Sequence, residues 1–289
     1  MKPALPTPLV AIVVALALGA CGDETRSSSS DRPSVIATTG VAADIVSEVA
    51  GEDIEVNQLV PDGAGPHSYS LSAKEQRELI EAGLLVYFSP ALEEGLPLDA
   101  AGNSLAIAEE IGSARSSDDP HVWLDPTQIE AALPAIADAL AALDPDHAAG
   151  YERRAEAYGD ELSALDVELE EITAAVPDRN RKLVSSHDVL GYFADRYGFE
   201  FIGAPFGASP EAEASAGKLA ELIDAVEAEG VPAVFAQTGD DPEVLRQVAA
   251  EADVAVVDDL LLESLGDGAE TYVQMMRLST QKISDALSG

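Results

Sequence analysis

The sequence predicts an α/β protein of two lobes with parallel sheets, joined by one long rigid helix, with a cleft between the lobes. Two observations predict this. Short apolar runs alternate with amphipathic helical stretches in each half of the chain, and such alternation gives parallel sheets with helices on both faces. Between the halves, from Asp146 to Val176, there is no proline and apolar residues recur at helical spacing.

In the first half, Ser34–Thr39 reads as a strand and Val41–Val49 as a helix. Ile54–Val60 is a second strand, followed by the turn-rich loop Pro61-Asp62-Gly63-Ala64-Gly65-Pro66-His67. Ser72 begins a helix through Ala82, with Glu75 completing a capping box. Leu84–Phe88 is a continuous apolar run, as expected of a strand buried on both faces. Asp125-Pro126-Thr127 opens a helix to Leu143, with a kink expected at Pro134. In the long helix, Tyr151, Ala155, Tyr158, Leu162, Leu165, Leu169 and Ile172 share one face. At 1.5 Å per residue it would span roughly 48 Å, more than one small domain.

The second half repeats the pattern. Strands are expected at Lys182–Ser185, Phe199–Gly203, Ala233–Ala236 and Val254–Val257, and helices at Asp188–Tyr197, Ser209–Glu229, Pro242–Ala252 and Ala269–Leu287. The chain therefore divides into a leader (1–20), a Ser-rich tether (21–33), an N-terminal αβ lobe (34–143), a linking helix (144–177) and a C-terminal αβ lobe (178–289).

The leader is short. Leu9–Ala20 is apolar and follows Lys2, and a stretch of this length reads as a signal segment, since a membrane span needs about 20 residues. Leu18-Gly19-Ala20-Cys21 closes it, and Cys21 is the only cysteine. This ending resembles a lipoprotein signal, in which the cysteine becomes the lipidated first residue, and it implies an extracytoplasmic, membrane-anchored protein. The net charge of −37 excludes nucleic acid as a partner, because phosphates would be repelled. An apolar content of 47% supports a genuine core.

The chemistry concentrates at His67, His121, His187 and Asp259. The chain has only 4 histidines, and three lie in loop-like segments beyond strands or extended segments. In parallel α/β sheets ligands bind beyond the carboxyl ends of strands. Three imidazoles and one carboxylate make a complete tetrahedral set for a borderline metal such as zinc. Such a set leaves no position for a reacting water, which argues against an enzyme. A zinc hydrolase would also be expected to carry His-Glu-x-x-His, which is absent. An isolated histidine is usually a surface or satisfied core residue, and that reading fits His147. Trp123, Tyr69 and the Met275-Met276 pair read as packing residues.

These segments resemble the zinc- and manganese-binding solute receptors of bacterial ABC importers over essentially the whole mature chain. The sharpest match is Asp119-Pro120-His121-Val122-Trp123-Leu124-Asp125-Pro126. Gly65-Pro66-His67-Ser68-Tyr69, His187 with Gly191-Tyr192-Phe193, and Tyr272-x-x-Met275-Met276 follow in the same order. The resemblance implies two Rossmann-like lobes with the metal at their interface. His67 and His121 would come from the first lobe, His187 and Asp259 from the second. It implies Zn2+ as transported ligand, with Mn2+ the alternative cargo; three nitrogens favour zinc over the harder manganese. It implies a permease and its ATPase as partners and a monomeric receptor. The runner-up is a surface adhesion or structural lipoprotein on the same fold. Asp258 adjoins Asp259, and a one-residue shift exchanges them; Asp259 is preferred because it lies further past the strand. No histidine lies between His67 and His121, so the His-rich loop of many zinc receptors is missing here.

Overall fold

The computed structural model describes Met1 and residues 33–111, 119–207, 215–266 and 268–289. The expected signal segment, Cys21 and the Ser209-Pro210 helix start lie outside the described residues. Residues 1–32 separate as one unit and Pro33–Gly289 form the other. No helix among the described residues is long and apolar enough to cross a membrane.

In Pro33–Gly289 the first sheet contains β1 (Ser34–Ala37), β2 (Glu55–Gln58), β3 (Leu84–Tyr87) and β4 (Ser104–Ala106). The order is β2-β1-β3-β4 and every pairing is parallel. Side chains alternate between faces with a period of two. Val35, Ala37, Leu84, Val86 and Phe88 therefore join the main core with α1 (Gly40–Ala50) and α3 (Pro126–Leu143). Ile36, Leu85 and Tyr87 face the other way, onto Leu79 of α2 (Ala73–Glu81). Thr39 caps α1 by accepting from Ala42 N, and Ser72 with Glu75 forms the expected capping box on α2. The edge strand β4 was not foreseen; three residues are too few to show a period.

Two two-stranded parallel sheets follow, β5 (Lys182–Val184) with β6 (Glu200–Gly203), and β7 (Ala233–Gln237) with β8 (Ala255–Leu260). A parallel bridge between Ser185 and Phe235 links the two pairs. Around them lie α5 (Gly191–Tyr197), α6 (Ala216–Glu229), α7 (Glu243–Ala252) and α8 (Tyr272–Leu287). Helix α5 starts later than the apolar pattern suggests, because Asp188 N and Val189 N bond to Gly207 O and His187 O instead of opening a helix. Likewise α8 waits for Thr271, whose hydroxyl accepts from Gln274 N.

The long helix α4 runs over Ala148–Thr173, 26 residues, or about 39 Å. It is shorter than expected because Pro145–His147 form a 3-10 turn before it, and because Ala175 N and Val176 N close turns onto Ile172 O and Thr173 O after it. It packs on α1 and α3 from the first half and on α5 and α8 from the second. Its buried Asp166 binds Arg196 and accepts from the Tyr197 hydroxyl at 3.1 Å. The largest core cluster runs through α4 and draws residues from both halves.

Candidate metal centre

Four loops deliver the candidate residues. His67 ends the turn-rich loop after β2, where Ser68 N bonds back to Gly65 O at 3.4 Å. His121 opens the 3-10 turn Val122–Leu124, and Asp119 Oδ1 receives its backbone N–H at 3.1 Å. His187 follows β5; Ser186 N bonds to Phe235 O, and the Ser185 hydroxyl donates to His187 O at 2.6 Å. The fourth group is Glu263, just past β8. Two further contacts hold the His121 and Glu263 segments together. The Trp123 indole N–H donates to Leu262 O at 2.6 Å, and the Tyr272 hydroxyl donates to Trp123 O.

His67, His121, His187 and Glu263 are all buried, and one ligand atom of each lies within 4.8 Å of the others. Among the described residues this is the only such group. Glu263 Oε1 is 3.4, 3.2 and 3.5 Å from the Nε2 atoms of His67, His121 and His187. Tetrahedral zinc with bonds of about 2.0–2.1 Å separates its ligand atoms by about 3.3 Å. The three Oε1–Nε2 distances match that spacing, yet none of the four atoms makes a hydrogen bond. Buried polar atoms are rarely left so, and four of them gathered within 4.8 Å make a candidate cation site.

Two of the outer nitrogens are held by carboxylates. His121 Nδ1 is 2.9 Å from Asp119 Oδ1, and His187 Nδ1 is 3.2 Å from Asp240 Oδ2. A carboxylate on Nδ1 sets the ring orientation and leaves Nε2 as the metal-binding atom. The electrostatics agree. Burial alone would raise the Glu263 carboxyl, but the imidazoles of His121, His187 and His67 hold it well below the usual range. Burial alone would lower His187, but Asp240 and Glu263 push it up to about 10. His121 is raised by Asp119 and Glu263 against the same burial effect.

The structure therefore brings together three of the four expected residues and replaces the last. Asp259 does not reach the site: its side chain is 75% exposed and pairs with Lys282 Nζ at 3.1 Å. Asp258 is no substitute, since it pairs with Arg246 at 2.6 Å. The reason is a bulge. Phe235 pairs with Val257 and Gln237 with Leu260, so Asp258 and Asp259 together oppose the single residue Ala236. Asp259 takes a left-handed φ of 66°. Both aspartates are left outside, Leu260 turns inward, and the next carboxylate along the chain reaches the site. The sequence did carry a signal for it. Glu263 stands within Leu260-Leu261-Leu262-Glu263-Ser264-Leu265, and a carboxylate in an apolar run must be paired when buried. His147 lies apart, exposed and bonded to Asp144 at 2.6 Å.

The family profile described as zinc-uptake complex component A, periplasmic (ZnuA), matches residues 35–286. This chain belongs to the ZnuA family. Among curated relatives, the manganese-binding lipoprotein MntA of Halalkalibacterium halodurans is 27% identical over 96% of this chain and 97% of its own. The high-affinity zinc uptake system protein ZnuA of Paracoccus denitrificans is 28% identical, with coverages of 96% and 97%. Among solved structures, the periplasmic zinc-binding protein TroA of Treponema pallidum superposes with a TM-score of 0.83 at 27% identity. That match covers 89% of this chain and all of TroA. The ZnuA-family fold is thus the α/β arrangement of parallel sheets and helices described above.

Proposed function

We propose that this protein is the extracytoplasmic receptor of an ABC importer and that it binds one divalent transition-metal ion, zinc before manganese, through His67, His121, His187 and Glu263. The observation that carries the reading is the convergence of three buried Nε2 atoms on Glu263 Oε1 at 3.2–3.5 Å. Three neutral nitrogens suit a borderline cation, and the single carboxylate offsets part of its charge. Relatives named for manganese make that ion the competing cargo. The receptor has lobes at 34–143 and 178–289 joined by the helical segment 144–177, works as a monomer, and hands its ion to a permease driven by an ATPase. Cys21 carries the lipid that ties it to the membrane; two acyl chains suffice for stable attachment.

The test is elemental analysis of protein purified without added metal, followed by titration against a chelator of known affinity. One zinc per chain is expected. No binding, or two tight sites, would refute the proposal. For the anchor, Cys21→Ser should leave the mature chain in the soluble fraction or block processing. Mature Cys21→Ser protein that still sediments with membranes would rule the anchor out.

A further inference from the structure

Gln237 is the last residue of β7 and is buried beside the candidate centre. Its side-chain Nε2 donates to Glu263 Oε2 at 2.6 Å and to Asp240 Oδ1 at 3.0 Å. Carboxylate oxygens on both sides dictate the amide orientation, since only the NH2 group can face them. The amide oxygen is left buried without a partner. The backbone is held too, by Gln237 pairing with Leu260 and by Thr238 N bonding to Leu260 O at 2.8 Å. Asp240 uses its other oxygen on His187 Nδ1 and the Ser186 hydroxyl. One amide therefore joins the groups that orient His187 and Glu263.

We propose that Gln237 restricts Glu263 to a single metal-facing oxygen and thereby sets the preference of the site for a four-coordinate cation, zinc over manganese. This rests on the metal-site reading above. Oε1 is the oxygen that faces the three imidazoles. To bring Oε2 onto the ion as well, the Glu263 carboxylate would have to turn against a short charge-assisted bond in a dry setting, where such bonds are strong. With that bond in place the centre offers three nitrogens and one oxygen, a tetrahedral set. Manganese favours octahedral, oxygen-rich surroundings and gains from a second carboxylate oxygen.

The full chain is loaded separately with zinc, manganese and cobalt(II). Chelator competition gives the first two affinities, and the visible spectrum of cobalt reports coordination number. The wild-type protein should show the intense bands of four-coordinate cobalt. Gln237→Met removes the donor at nearly constant length, and Gln237→Asn stops its amide one methylene short of Glu263. Either variant should weaken zinc about tenfold or more, within the range of changes behind metal ligands. Manganese should bind as well as before or better, and the cobalt bands should fade as coordination rises. An Asp240→Asn control, which keeps an oxygen for the Gln237 amide and replaces the one facing His187, should weaken both metals together and leave the cobalt bands intense. The proposal is overturned if the zinc-to-manganese ratio and the cobalt spectrum of both Gln237 variants match the wild type. It is also overturned if both affinities fall in parallel with an unchanged spectrum, the result of a merely structural role. Failure of the wild-type chain to take up any of the three metals would refute the metal-site reading itself, and this proposal with it.

Discussion

On the proposed reading, removing Glu263 takes away a ligand and the charge that offsets the cation. Glu263→Ala should therefore lower zinc affinity by more than the roughly 10 to 100-fold typical of changes behind the ligands. Asp259→Ala should be silent by the same measurement, since its carboxylate is exposed and pairs only with Lys282. The reverse pattern would return the fourth position to Asp259. A second expectation concerns protons. His187 is pushed up to about 10 and His121 is raised, so in the metal-free protein at pH 7 a proton competes with the ion. Lowering the pH adds protons to Nε2 and weakens binding. Raising it should keep strengthening binding above about 6.5, the ordinary histidine value, instead of levelling off there. Calorimetry in buffers of different ionisation enthalpy should report proton release; equal heats in all buffers would contradict it. The three histidines could be read from the sequence because histidine is scarce in this chain and each lies beyond a strand or extended segment. Glu263 could not be reached in the same way. Its place depends on the bulge at Asp259, and a bulge is a property of two paired strands that one strand's sequence does not display.

Among elements, α4 carries the most. Leu162 lies fully buried on the face that meets both halves. Leu162→Ala should cost about 2–5 kcal/mol, lowering the denaturant midpoint at constant slope. Val167 on the same helix is 54% exposed, and Val167→Ala should stay within about 0.5 kcal/mol. Equal losses at both positions would mean that α4 is not anchored by this face. The helix was legible from its apolar spacing, and so was the capping box at Ser72 and Glu75. Its first turn was not, because Pro145 and Asp146 favour a helical start and only the hydrogen bonds decide between 3-10 and α geometry. The tie from Trp123 to Leu262 was also out of reach. Trp123 reads as core in the sequence, and the acceptor of its N–H is a carbonyl 139 residues away.

In the whole molecule, ligands drawn from four distant loops should couple binding to folding. A ligand that binds only the folded chain stabilises it by about 4 kcal/mol at 1,000 times its Kd. Thermal unfolding with and without excess zinc should show a clear rise in midpoint, and Glu263→Ala should abolish most of it. An unshifted midpoint in the wild-type chain would mean that no such coupling exists. The overall architecture was readable because alternation and one unbroken helix leave few topologies open. The way the two halves meet at the centre was not, since that contact is made by loops whose sequences carry no periodicity.

The burial of all four groups has a kinetic consequence. His121 and His187 have no exposed surface, and His67 and Glu263 have only 8% each. An ion held there cannot leave until the loops part. If the loops part rarely, arrival and departure slow together while the equilibrium constant stays put. Cargo retention would then be a matter of timing rather than of strength, and unloading would fall to whatever holds the loops apart. Stopped-flow release into excess chelator would show this directly, as a rate that does not change with chelator concentration.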